Sequence, residues 1–141
     1  MDNVLIVVDD LEAAKAFFVA LGMELEGQAT VEGPSVDRVV GLDGVRSEIA
    51  MMRTPDGRGG VELDKFHAPR AISAERKDAA VNTLGIRRIM FAVDDIDAVL
   101  PRLLAHGAEL VGEVVRYDDR FRLCYVRGPE GIMVALAEEL G

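Results

Sequence analysis

The sequence is poor in several residue types, and each shortage excludes a class of protein or site. Its one cysteine, Cys124, rules out a disulfide within the chain. Two histidines are too few for a histidine-rich metal site. No apolar run reaches the ~20 residues that span a bilayer, and no segment resembles a secretory signal. We therefore expect a cytoplasmic protein that does not bind to a membrane.

Basic residues are scarce as well. Lys and Arg number 16 against 25 Asp and Glu, which gives the 141-residue chain a formal net charge of −9. This charge opposes binding to the phosphate backbone of nucleic acids or to an anionic membrane. Half of the residues are hydrophobic, so the chain can bury a substantial core. The expected partner is a small molecule or another protein.

What the sequence does contain is an internal repeat. Residues 4–10, VLIVVDD, return as residues 89–95, IMFAVDD, 85 positions later. The turn sequence RTPDG at residues 53–57 corresponds to RGPEG at residues 127–131. Two copies of one module predict a paired arrangement rather than a solenoid, which needs three or more repeats to bury a continuous core.

Hydrophobic periodicity predicts the order βαβββ for the first module. The helix covers residues 11–21, where Asp10 can cap its start and Gly22 can end it in a left-handed conformation. The predicted strands cover residues 3–9, 24–31, 45–53 and 60–66, with a short helical turn over 36–42.

The second module repeats this order. Its strands are predicted over residues 86–94, 108–116, 121–127 and 131–138, and its helix over 96–106. Pro101 should kink this helix or move its start, because proline removes a backbone donor. The hydrophobic pattern fails over residues 68–83. We divide the single domain 1–141 into a module of about 1–67, a linker of about 68–83 and a module of about 84–141.

The chain resembles the vicinal oxygen chelate (VOC) superfamily in four features. These are the strands closing on Val-Asp-Asp, the glycines after the helices, the Pro-acidic-Gly turns and the repeat itself. The superfamily includes glyoxalase I, methylmalonyl-CoA epimerase, extradiol dioxygenases, and fosfomycin and bleomycin resistance proteins. The resemblance covers nearly the whole chain. It implies an α+β fold, in which two tandem βαβββ modules form a curved mixed sheet around a shared cleft. It also implies a homodimer, because members of the superfamily commonly pair.

The resemblance also indicates where a metal would lie. In metal-dependent members, each module supplies one ligand from its first strand and one from its last. The corresponding positions are Asn3 and Glu62 in the first module, and Arg88 and Ala135 in the second. Only Glu62 is an ordinary metal ligand, because arginine and alanine have no lone pair to donate and an asparagine amide is weak. We expect no cofactor, with a bound divalent metal as the alternative.

Arg88 offers a substitute for the metal. Its guanidinium would either neutralise Glu62 as an ion pair or bind an anionic group of a ligand, and a solvated charge at the cleft mouth is the alternative. Strand alternation turns Glu62 away from its apolar neighbours Val61 and Leu63. The expected ligand-binding residues share a strand face with the metal positions or can donate to a ligand: Asn3, Leu5, Val7, Glu62, Arg88, Met90 and Tyr125.

The other polar residues receive structural interpretations. His67 is expected in a loop, His106 at the end of the second helix, and Cys124 as a buried, inert thiol. A surface hairpin with ion pairs is expected where arginines alternate with acidic residues, namely at Arg116, Asp118, Asp119, Arg120, Arg122 and Arg127.

Three functions are consistent with these residues. The first is a small-molecule-binding protein of the glyoxalase and bleomycin-resistance type, with a ligand that can be anionic and without the usual metal. The second is a lyase or epimerase similar to glyoxalase I or methylmalonyl-CoA epimerase, in which Glu62 removes a proton next to a carbonyl. The third is a dimeric interaction module with a filled cleft and no ligand.

Overall fold

Each half of the chain folds into its own α+β unit, in the order that the sequence repeat predicts. The structure is a computed structural model and describes residues 1–73 and 76–141. The two units are Met1–Ala74 and Glu75–Gly141, so the division falls inside the segment predicted as the linker. Among the described residues, no helix combines the length and the apolar character needed to span a membrane.

The first unit contains a four-stranded mixed sheet. Its elements are β1 (Val4–Val7), α1 (Leu11–Leu21), β2 (Glu24–Glu32), α2 (Pro34–Val40), β3 (Arg46–Arg53) and β4 (Gly60–Ala68). The strand order is β1-β4-β3-β2. β1 runs parallel to β4, and the other neighbours are antiparallel. The crossover from β1 through α1 leaves one sheet face to pack on the helix.

Helix α1 has the bounds that the apolar stripe predicts. Its inward residues Leu11, Ala14, Phe17, Phe18 and Leu21 are buried, and the helix contacts β2, β3 and β4. Asp10 accepts a hydrogen bond from the Ala13 N–H at 3.0 Å. Gly22 adopts φ 120° and donates to the carbonyl of Phe18, which ends the helix. Both predicted caps are confirmed.

The second unit repeats the architecture with a more broken sheet. Its elements are β5 (Arg88–Ala92), α3 (Ile96–Ala105), β6 (Glu109–Leu110), β7 (Val115–Tyr117), β8 (Phe121–Arg127) and β9 (Met133–Glu139). The strand order is β5-β9-β8-β6, and β7 also pairs with β8. β5 is parallel to β9, as β1 is to β4. The predicted α+β fold of two βαβββ modules is confirmed.

The single strand predicted over 108–116 is wrong, because two short strands occupy this segment. Leu110 pairs with Val126, and Val115 pairs with Leu123. Between these two pairs, the segment from β6 to β7 advances five residues, whereas β8 advances three. The surplus residues cannot stay in register, so pairing stops after Leu110 and resumes at Val115.

Helix α2 departs from its predicted bounds, whereas α3 begins where predicted. α2 lies over 34–40 instead of 36–42, because Pro34 occupies the first helical turn and Gly41 ends the helix at φ 73°. α3 begins at Ile96, where Asp95 accepts a hydrogen bond from the Asp97 N–H at 2.9 Å. The start of α3 is therefore not moved by Pro101, which lies inside the helix. His106 caps its end, as predicted.

One prediction about a single side chain is wrong, and another needs a new set of partners. His67 belongs to β4 and not to a loop, because β3 continues to pair with β4 as far as Ala68. Arg122 lies in the predicted hairpin, where it pairs with Arg116 across β7 and β8, but its ion pairs reach residues outside that hairpin. Its guanidinium donates to Asp97 at 3.0 and 2.9 Å and to Glu138 at 3.4 Å. It therefore joins the start of α3 to the sheet.

Two equivalent arginines end the strand that precedes the last strand of each unit, β3 in the first unit and β8 in the second. The Arg53 Nη1 donates to the carbonyl of Asp2 at 3.2 Å. The Arg127 guanidinium donates to the carbonyls of Lys77 at 3.4 Å and Ala79 at 2.6 Å. Each arginine thus holds the segment that precedes the first strand of its own unit. We call these contacts the arginine clamps.

Candidate functional site

The first unit presents Glu62 on the sheet face opposite α1. Val61 and Leu63 are 2% and 0% exposed and form part of the core, so Glu62 between them turns to the other face. The register aligns Glu62 with Leu5 on β1 and with Met51 on β3. We call this surface the first site face and define it by Leu5, Val7, Ser47, Ile49, Met51, Glu62 and Asp64.

A second carboxyl group lies beside Glu62, and sequence analysis missed it. Asp64 follows Glu62 by two residues, so both side chains lie on the first site face. Asp64 is 5% exposed. Burial, together with the hydrogen bond and the charge of Glu62, raises the pKa of Asp64 to about 7. The signal was available, because the alternation Glu62-Leu63-Asp64 places both carboxyls on one face.

Polar atoms on the first site face lack partners. The Asp64 Oδ1 and the Ser47 Oγ are buried, and neither has a hydrogen-bond partner within residues 1–73 and 76–141. Ser47 is 1% exposed. Buried polar atoms are satisfied in nearly all native proteins, so both atoms are candidates for contact with a bound molecule.

Asn3 lies outside the predicted first strand, since β1 begins at Val4. Its amide nitrogen donates to the carboxylate of Asp2 at 2.8 Å. Leu5 and Val7 are in β1 and remain 49% and 38% exposed. The two apolar residues are therefore open to a ligand, whereas the amide of Asn3 is engaged by its neighbour.

The second unit presents Arg88 on the sheet face opposite α3. The register aligns Met90 with Ala135 and Ala135 with Tyr125, which places them on one face with Arg88. The Arg88 guanidinium lies over the Tyr125 ring, 5.6 Å from its centroid. We call this surface the second site face and define it by Arg88, Met90, Tyr125 and Ala135.

This cation–π contact does not use the acceptors that a carboxylate would supply. The ring attracts the guanidinium through its π-system, so the N–H groups of Arg88 can still donate to a ligand. No carboxylate within residues 76–141 lies at salt-bridge distance from Arg88. Arg88 is thus supported by an aromatic ring and carries its positive charge into this surface.

Comparison with known proteins places the chain in a family. Residues 1–136 match the model of the Glyoxalase/Bleomycin resistance protein/Dioxygenase superfamily. The chain belongs to this superfamily. The resemblance read from the repeat is confirmed.

Several relatives of this glyoxalase superfamily member span its whole length. The crystal structure of a glyoxalase family protein from Bacillus cereus is 55% identical, covers 100% of this chain and 94% of its own, and has a TM-score of 0.94. The uncharacterized protein YaeR of Escherichia coli K12 is 25% identical, covering 97% of this chain and 94% of its own. A fosfomycin resistance protein mutant from Listeria monocytogenes, complexed with Mn(II) and 1S,2S-dihydroxypropylphosphonic acid, is 14% identical, covers 99% and 92%, and has a TM-score of 0.60.

The positions that correspond to superfamily metal ligands do not fit a divalent ion. In the first unit, Glu62 has suitable oxygens, but Asn3 offers only an amide oxygen, which is a weak ligand. In the second unit, the guanidinium of Arg88 and the methyl of Ala135 have no lone pair for a metal. Within the described ranges, no three His, Cys, Asp or Glu side chains are grouped as metal ligands.

A separate cavity of about 530 Å³ lies in the second unit, on the segment before β5. It is lined by Arg76, Asp78, Ala79, Ala80, Thr83, Leu84 and Arg87, none of which was predicted as a site residue. Arg76 donates two hydrogen bonds of 3.0 Å to Asp78, which neutralises one of its two cationic side chains. The guanidinium of Arg76 is therefore held by a carboxylate within the cavity lining, whereas that of Arg88 has no such contact within residues 76–141.

Proposed function

We propose that this superfamily member binds a small organic anion without the usual metal, and that Arg88 is the charged contact. The stacking of Arg88 on Tyr125 is the observation that supports this proposal. Guanidinium N–H groups form strong, paired hydrogen bonds with carboxylates and phosphonates. An aromatic ring beneath the guanidinium limits its motion, which reduces the entropy lost when an anion binds.

The neighbours of Arg88 favour an anion with an apolar body. Met90 is 42% exposed on the second site face, and Ala135 has only a methyl group. In the fosfomycin resistance protein, Mn(II) accompanies a phosphonic acid within the same fold. Here a fixed guanidinium would supply positive charge. We infer that the ligand carries a carboxylate or a phosphonate on a hydrophobic group.

A thermal-shift experiment with small aromatic probes tests this proposal. Benzoate and phenylphosphonate should stabilise the chelator-treated protein, and neutral benzamide should do so far less. A probe at 100 times its dissociation constant stabilises by about 2.7 kcal/mol. Arg88→Met should weaken benzoate binding at least tenfold, since hydrogen bonds to charged groups contribute about 1.5 to 3 kcal/mol.

Arg120 provides a matched control. Its guanidinium also lies 5.6 Å from a ring centroid, that of Phe121, but in the turn between β7 and β8. Arg120→Met should leave benzoate binding unchanged. An equal loss of benzoate binding in Arg88→Met and Arg120→Met would indicate non-specific attraction and contradict the role of Arg88. Benzoate binding that requires an added divalent ion would overturn the metal-free proposal.

An enzyme is the second candidate, and the carboxyl pair on the first site face favours it. A carboxyl whose pKa lies near 7, as for Asp64, has a proton affinity suited to proton transfer at neutral pH. In this version Glu62 removes a proton next to a carbonyl, as in the epimerases of the superfamily. Exchange of the C2 proton of methylmalonyl-CoA in D₂O, measured by NMR, tests it. Exchange that survives in Glu62→Gln would contradict the assignment.

The expected homodimer remains a prediction, which multi-angle light scattering of the full chain can check. A dimer that binds none of the probes above would favour the third interpretation, an interaction module without a ligand. Binding of benzoate that depends on Arg88 would exclude that interpretation.

A further inference from the structure

The first site face carries a group of hydrogen-bond acceptors in addition to its apolar residues. Glu62 and Asp64 lie two residues apart on β4, and their carboxyl groups are within hydrogen-bonding reach of each other. Asp64 pairs with Ile49 on β3, and Ser47 lies two residues before Ile49 on the same face. Diagonal neighbours of this kind have side chains about 7 to 8 Å apart at their base. We call Ser47, Glu62 and Asp64 the carboxyl subsite.

The carboxyl subsite is buried, but its polar atoms are not satisfied. Asp64 and Ser47 are 5% and 1% exposed, and the Asp64 Oδ1 and the Ser47 Oγ have no hydrogen-bond partner within the described residues. These are independent observations on two strands. Because buried polar atoms are normally paired, both point to a missing donor group.

No cation of the first unit supplies that donor. Within residues 1–73, the ion pairs of Lys15, Arg53 and His67 involve other carboxylates, and none reaches Glu62 or Asp64. The nearby side chains Leu5, Ile49 and Met51 are apolar and have no N–H to offer. The subsite thus combines negative charge, unmet acceptors and an apolar surround.

We propose that the carboxyl subsite binds the protonated amine of a small-molecule ligand. An ammonium group can donate to the Asp64 Oδ1 and the Ser47 Oγ together, because these two acceptors are diagonal neighbours without partners, while Glu62 adds negative charge beside Asp64. The surrounding apolar residues would contact the carbon atoms next to the nitrogen. This inference rests on the proposed function only in that it treats the chain as a small-molecule binder.

Protein NMR with two simple cations tests the inference. Ethylammonium chloride should produce saturable shifts at the backbone amides of residues 47, 49, 62 and 64 in ¹⁵N-labelled full-length protein. Tetramethylammonium chloride has the same charge but no N–H, and at equal ionic strength it should shift these amides weakly and without saturation. Equal saturable responses to both cations would overturn the inference, as would no saturable response to ethylammonium.

Substitutions at the subsite sharpen the test. Asp64→Asn should weaken ethylammonium binding at least tenfold, and Ser47→Ala should weaken it several-fold. The control Asp43→Asn changes an exposed carboxylate in the same unit and should have no effect. Unchanged affinity in Asp64→Asn would refute the inference. If that variant does not give the dispersed spectrum of a folded protein, Glu62→Gln and Ser47→Ala decide the question by the same criterion.

The same samples separate this inference from the proposed function. Benzoate reports on Arg88, and ethylammonium reports on the carboxyl subsite. Wild-type protein that binds benzoate but not ethylammonium would remove the amine subsite and keep the anion proposal. Wild-type protein that binds ethylammonium but not benzoate would remove the anion proposal and keep the amine subsite.

Discussion

Replacing Asp64 with asparagine tests the protonation of its buried carboxyl. Burial and the neighbouring Glu62 raise the pKa of Asp64 from 3.8 to about 7. A carboxyl with a higher pKa in the folded state than in the unfolded chain binds its proton more tightly when folded. The contribution of Asp64 to stability should therefore be fully present below about pH 4 and be lost as the pH rises through about 7.

The size of the effect follows from the shift. Each pKa unit corresponds to about 1.36 kcal/mol, so the full shift has a ceiling of roughly 4 kcal/mol. Between pH 5 and pH 8, the ionisation of Asp64 should lower the free energy of unfolding by about 2 to 3 kcal/mol. Asparagine cannot ionise. Asp64→Asn should therefore remove this fall in the free energy of unfolding.

Urea unfolding followed by far-UV circular dichroism provides the measurement, at pH 5, 6, 7 and 8. The difference in unfolding free energy between Asp64→Asn and wild type should shift in favour of the variant as the pH rises. The exposed control Asp43→Asn should keep the wild-type pH dependence. If wild type and Asp64→Asn change in parallel over this range, the carboxyl is not protonated in the folded state and the reasoning fails.

Two substitutions in the second unit test its packing. Gly131→Ala should lower the unfolding free energy by at least about 1 to 2 kcal/mol, because residue 131 has φ 74° and an added Cβ would meet the Lys77 carbonyl. Gly112→Ala is the control, because a Cβ at residue 112 meets no atom within 4 Å. Glu138→Ala should cost about 1 to 3 kcal/mol, because it leaves the buried Ile96 N–H without its 3.3 Å acceptor. Urea unfolding checks both, and stability equal to wild type would contradict either prediction.

The regular elements could be predicted because their signals are local. The stripe of α1 repeats every three or four residues, and Asp10 and Gly22 mark its ends within one turn of the chain. Alternation in β4 likewise places Glu62 opposite Val61 and Leu63 without knowledge of the neighbouring strand.

The errors arise where the outcome depends on distant residues. The break between β6 and β7 is set by the register with β8, which no local pattern encodes. Arg122 lies in the predicted hairpin, but its partners are distant and were not predicted: Asp97, 25 residues earlier, and Glu138, 16 residues later. His67 stays in a strand because β3 extends beside it.

The candidate site was partly accessible from the sequence. Arg88 and Glu62 were selected through the superfamily resemblance, and their roles as ligand contacts remain predictions. Asp64 was missed because the resemblance directed attention to one acidic position on the last strand. Its importance comes from burial and from an atom without a partner, which only the structure reveals.

The arginine clamps have a consequence for how the chain folds. Arg53 and Asp2 are 51 residues apart, and Arg127 and Lys77 are 50 residues apart. Each contact closes a loop of nearly the same length, so the entropic cost of closure, which grows with the logarithm of loop length, is almost equal in the two copies. Each unit therefore has a long-range contact of its own, which joins its first residues to the strand before its last strand at a similar entropic cost.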